Sequence, residues 1–187
     1  MSKRFPIPEF DRDQYKNMAW RQPAPLSRDE QQRLIEAARA GKTDVFGSYP
    51  VQADEAFYER FKLRGPHRHA VMCILPEKDV RLVGRSWAWP IQRAVVVDSL
   101  DPAQARVLQE WKTPRPMNTR LGPDNGVAIE GGVVYALLGH RYSDYWLANR
   151  TLQDARGVTD GKGFSVVSAS DEDNHDFHAC NLSFRWP

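Results

Sequence analysis

Residues 64–100 read RGPHRHAVMCILPEKDVRLVGRSWAWPIQRAVVVDSL, and the way this stretch divides decides the fold. Ala70 to Leu75 is a short apolar run, Pro76-Glu77-Lys78-Asp79 is a turn, Val80 to Trp89 is a second run, and Arg93 to Asp98 is a third. Apolar, β-branched runs of this length, broken by a Pro/Asp turn, predict strands of one sheet with the first two joined as a hairpin.

Working outward, helix signals precede this stretch. Ser27-Arg28-Asp29-Glu30 is a capping box, Leu34, Ile35 and Ala38 form the stripe that follows it, and Gly41 supplies the stop. Phe57 and Phe61, one turn apart, predict a second helix over about 54–62. On the far side, Asp101-Pro102 reads as an N-cap with proline at the first helical position. Val107, Leu108 and Trp111 then fall on one face and extend that helix over 102–112.

Pro114, Pro116 and Pro123 enforce a loop, after which Val127–Ile129 and Val133–Leu138 predict a second hairpin. Residues 143–152 suit a short aromatic-rich helix. Two strands close the chain over 164–169 and 177–186, the last alternating His178, Cys180, Leu182, Phe184 and Trp186 on one face. The expected fold class is therefore α+β. An antiparallel sheet from residues 68–98, 127–138 and 164–186 is covered by three or four short helices. Residues 1–26, with four prolines and six large apolar anchors from Phe5 to Trp20, form an extended arm that precedes a single domain over 27–187.

Composition excludes little. A chain of 187 residues buries about 70% of its unfolded surface as one domain. Net charge is only +2, although 19 of the 26 basic residues are arginine, the side chain suited to stacked and bidentate contacts. The two cysteines, Cys73 and Cys180, sit inside predicted strands and cannot build a disulfide scaffold, which points to a reducing, cytoplasmic setting. Neither a signal-peptide core nor an apolar run long enough to span a membrane is present in the sequence.

Two groups of residues carry candidate chemistry. Arg81, Arg85, Trp87, Trp89 and Arg93 share one parity, so they are expected to form an Arg/Trp binding stripe, joined by Trp20 of the arm. A bulge at Gly84 would instead turn Trp87 and Trp89 into the core. His67 and His69, together with His175, Asp176 and His178, have the donor types of a transition-metal site. That reading requires two sequence-distant strands to be neighbours, with His69 and His178 as the catalytic pair. The acidic run Asp171-Glu172-Asp173 lacks the glycine and distal glutamate of a calcium loop and reads as a solvated connection. Gly41-Lys42-Thr43 follows a helix and lacks the earlier glycine of a phosphate loop. Asn149 and Asn181 open sequons that count only in a secreted chain.

The favoured function is a small soluble binding protein: an assembly component, inhibitor or adaptor that uses the arm and the Arg/Trp stripe and needs no cofactor. Its partner is another protein or a second copy of itself, with no membrane, and nucleic acid is disfavoured by the low net charge. The alternative is a histidine-based hydrolase or nuclease-like enzyme holding a divalent transition metal.

Overall fold

The computed structural model describes residues 24–88, 90–117, 119–141, 145–154, 162–169 and 179–187. It is a two-sheet sandwich with a helical layer on one side, not an α+β sheet under three or four helices. Among the described residues there are two helices, α1 (Arg28–Arg39) and α2 (Glu55–Arg60). The first sheet contains β1 (Gly47–Val51), β2 (Leu63–Arg64), β3 (Ala70–Ile74), β5 (Ile91–Val97), β6 (Val107–Lys112), β9 (Val133–Arg141) and β10 (Trp146–Ala148). The second contains β4 (Asp79–Ser86), β7 (Arg120–Leu121), β8 (Val127–Glu130), β11 (Arg150–Asp154), β12 (Gly163–Ala169) and β13 (Cys180–Arg185).

The expected hairpins do not form. β3 pairs with β1 and β9, while β4 pairs with β13, β8 and β7, so the turn after Leu75 carries the chain from one sheet to the other. β8 and β9 behave alike, pairing with β4 and β3 respectively. The two crossing loops lie side by side: Leu75 N donates to Gly132 O at 2.9 Å and Gly131 N to Lys78 O at 3.0 Å. A Cβ on Gly131 would stand 1.9 Å from Pro76 O, so only glycine fits this approach. Pairs of apolar runs joined by a short turn are locally ambiguous between a hairpin and such an arch. β3 is buried on both faces, which requires cover that a hairpin partner cannot supply.

Two further segments expected as helix are strand. Asp101 does cap a turn, its Oδ1 accepting from Ala103 N at 2.9 Å, but that turn ends at Ala105. Arg106 N then donates to Asp98 Oδ1 and Arg106 O accepts from Asp98 N, which aligns Val107–Lys112 against β5. Val95, Val96 and Val97 need an antiparallel neighbour, and that pairing overrides local helix propensity. Within 143–152, the described part consists of β10 and the start of β11, with Asn149 as the step between sheets.

Two apolar layers result. Between the sheets, Val71, Cys73, Val96, Val134 and Leu138 face Leu82, Val166, Leu182 and the stacked rings of Phe164 and Phe184, whose centroids are 5.2 Å apart. On the outer face of the first sheet, Met72, Ile74, Val97 and Leu137 pack against Phe57 and Tyr58 of α2, Phe61 at its C-cap and the Leu34-Ile35-Ala38 stripe of α1. Each fully buried ring of this kind stabilises the fold by roughly 1.5–3 kcal/mol. The Ser27 capping box is formed, with both its bonds at 3.2 Å. Leu26 bridges to Val51, while residues 1–23 of the expected arm lie outside the described residues. No described helix is long and apolar enough to cross a membrane.

Candidate functional site

The arginine and tryptophan stripe is divided by the fold. β4 faces Val80 and Leu82 inward, so Arg81 and Arg85 lie on the outer face of the second sheet. Arg85 pairs in register with Arg120 and reaches Asp124 Oδ1 at 3.6 Å. Trp87, just past the strand, is 50% exposed. Arg93 belongs to the other sheet and to its opposite outer face, because the chain changes sheet between β4 and β5 and parity does not survive the change. Trp20 and Trp89 lie outside the described residues. Gly84 hosts no bulge, since the β4–β13 register runs unbroken from Arg81 to Ser86. Its role is close approach: a Cβ there would meet Leu121 O at 2.5 Å and the Trp111 ring at 3.0 Å.

His69 is buried, with both ring nitrogens engaged. His67 O can only accept, so Nδ1 carries the proton and donates to it at 2.7 Å. Nε2 is therefore the acceptor and takes the hydroxyl hydrogen of Thr151. Burial holds the His69 pKa below the ordinary histidine value, so this is a neutral imidazole with its lone pair already committed. His175, Asp176 and His178 lie outside the described residues. Among the described residues no group of three or more His, Cys, Asp or Glu side chains is placed to hold a metal. Cys73 and Cys180 are both fully buried, and desolvation pushes both thiols far above their ordinary pKa.

A buried polar network that sequence reasoning missed lies between the sheets, beyond the apolar half of the interior. His140 Nδ1 donates to Asn149 Oδ1 at 2.6 Å, and Asn149 Nδ2 donates to Gln92 Oε1 at 2.9 Å and Ser168 Oγ at 3.1 Å. Gln92 Nε2 in turn donates to Pro90 O, and Ser168 Oγ to Cys180 O. Each donor chain ends on a backbone carbonyl, so one proton arrangement satisfies the set. The available signal was parity: Val134, Ala136, Leu138 and His140 alternate along β9, which puts His140 on the inward face.

The exposed chemistry is concentrated on the outer face of the first sheet, past the edge of the helical layer. Arg93 stands opposite Lys112 on β6 and opposite Gly139 on β9. Gly139 leaves that row without a side chain, and Trp146 Cβ sits 3.5 Å from where a Gly139 Cβ would be. The Trp146 ring has Arg93 Cζ 5.3 Å, Lys112 Nζ 5.9 Å and Arg141 Cζ 5.9 Å from its centroid. Arg93 is fixed further by Glu110 Oε1 at 3.1 Å and by the Phe61 carbonyl, to which it donates. Burial lowers the Arg93 pKa while Glu110 raises it; a guanidinium remains charged regardless. Trp146 is only 7% exposed, whereas Lys112 and Arg141 are exposed. The indole therefore serves as a floor beneath two exposed cations, Lys112 and Arg141, with the mostly buried Arg93 guanidinium against the same ring.

No protein-family model and no curated protein matches this chain. Among solved structures it is similar to the C-terminal domain of BC2L-C lectin from Burkholderia cenocepacia, at 14% identity and a TM-score of 0.45, over 61% of this chain and 91% of that one.

Proposed function

We propose that this protein works by binding another protein, and that the cationic surface around Trp146 is the contact. The observation that carries the reading is the convergence of Arg93, Lys112 and Arg141 on one buried indole. Arginine is enriched among the few residues that dominate the energetics of protein contacts. Arg93 is already immobilised by Glu110 and Phe61 O, so its ordering is complete before a partner arrives. The charge selects a partner surface rich in carboxylates, and the aromatic ring is too buried to stack a nucleobase.

The test is anisotropy of a fluorescein-labelled oligoglutamate peptide titrated with the protein at low salt. Binding that weakens with added salt and falls at least tenfold in Arg141→Glu supports the reading. Failure of the peptide to bind, or equal binding by the variant, overturns it.

A further inference from the structure

The geometry points to β6 as a self-complementary edge that pairs with β6 of a second copy of this chain. Among the described residues β6 pairs with β5 alone, which leaves the other side of its backbone facing away from the described sheet. Thr113 N donates to Gln92 O, which turns the N–H groups of Thr113, Trp111 and Gln109 toward β5 by alternation. Glu110 and Lys112 therefore present their N–H and C=O outward. The same two residues carry opposite charges, both are exposed, and both lie on the outer face of the sheet.

An antiparallel pair centred on Trp111 sets Glu110 of each copy opposite Lys112 of the other. Four backbone bonds then form, from Glu110 N and Lys112 N of each chain to the facing carbonyls. The two Glu110–Lys112 ion pairs follow from the same symmetry, which is the isologous rule of a twofold contact. Sheet edges guarded by lysine normally repel another strand. Here the glutamate two residues away converts that guard into a selector, accepting this register and opposing a one-residue slip. The two surfaces share Lys112 and Glu110, the latter already paired with Arg93, so the test reads mass and amide exchange rather than peptide binding. Arg141→Glu, which lies off β6, is expected to lose the peptide and keep the dimer.

Light scattering after size exclusion, over a dilution series of the full chain, is the measurement. Wild type is expected to rise from monomer to dimer mass with concentration. Lys112→Glu and Glu110→Lys, checked as folded by circular dichroism, are each expected to stay monomeric, since each sets like charges opposite. An equimolar mixture of the two variants is expected to recover the dimer as a mixed pair, because every facing position is again opposite in sign. Hydrogen exchange needs no variant: the Glu110 and Lys112 amides should slow as wild-type concentration rises. Wild type that is monomeric throughout, a dimer that survives either single change, a mixture that stays monomeric, or concentration-independent exchange at these amides overturns the inference.

Discussion

His140 Nδ1 donates to Asn149 Oδ1 across 2.6 Å, and that bond ties a strand of the first sheet to the residue at which the chain leaves for the second. Asn149 is 1% exposed and also donates to Gln92 and Ser168, so it bonds to both sheets at once. Asn149→Leu keeps much of the volume but orphans the His140 donor and the Gln92 acceptor. Leaving a buried polar group unsatisfied costs about 1–3 kcal/mol each, so a loss of about 3 kcal/mol or more is expected in urea unfolding. A loss below about 1 kcal/mol would show that the network is not cooperative with the fold.

Acid should weaken the protein through His69. Its folded pKa is lowered by burial, so the unfolded chain binds a proton that the folded chain refuses. The stability is complete above the unfolded value of about 6.5 and is lost as pH falls through it, with a limiting slope of about 1.4 kcal/mol per pH unit for one proton. Urea midpoints between about pH 7 and pH 5 read this directly. His69→Gln, which cannot titrate, should flatten the slope by up to that amount even if it lowers stability at neutral pH.

Gly131→Ala tests the stacked crossing loops. The new methyl meets the Pro76 carbonyl and cannot be accommodated by side-chain motion, because the obstacle is backbone. Overpacking of this kind costs about 1–3 kcal/mol, and the upper end is expected. A thermal midpoint unchanged from wild type would mean that the loops are free to part.

The two described tryptophans at the surface and in the cation floor should respond differently. Trp87, half exposed, is expected to tolerate alanine within about 0.5 kcal/mol. Trp146→Ala removes a buried indole and leaves Arg93, Lys112 and Arg141 to repel one another across the gap, at a cost of about 3–5 kcal/mol. Similar losses for both in chemical unfolding would contradict the assignment of Trp146 as the organising ring.

The strands β3, β4, β5, β8, β9, β12 and β13 were legible in the sequence, whereas β1, β2, β6, β7, β10 and β11 and the partner of each strand were not. The runs at 70–75 and 80–86, the Ser27 helix and the inward face of Cys180, Leu182 and Phe184 all follow from local pattern. Whether Pro76–Lys78 folds back as a hairpin or arches to a second sheet depends on Gly131, more than fifty residues away. The helix expected over 102–112 has a true cap at Asp101, and only the Asp98–Arg106 pairing shows why it stops. Arg93 reads like Arg81 and Arg85 until the change of sheet between β4 and β5 places it on the opposite outer face. The Trp146 cluster was hidden for the same reason: Lys112, Arg93, Arg141 and Trp146 come from four strands, and register alone unites them.

The chain changes sheet after β3, β4, β6, β8 and β10, and this path has a kinetic meaning. Neither sheet is a single run of consecutive strands, so each is completed only by pairings between distant parts of the chain. Local pairs such as β5–β6 and β12–β13 close early, but β3 must wait for β9 and β4 for β13, across loops of about sixty and a hundred residues. The entropy of closing those loops is spent before most of the interior exists to reward it, a burden typical of β-sandwiches that fold in milliseconds to seconds. Until β9 and β13 are available, a nascent chain presents one side of β3 and one side of β4 without their partners. That waiting period, rather than the finished sandwich, is where aggregation has its opportunity.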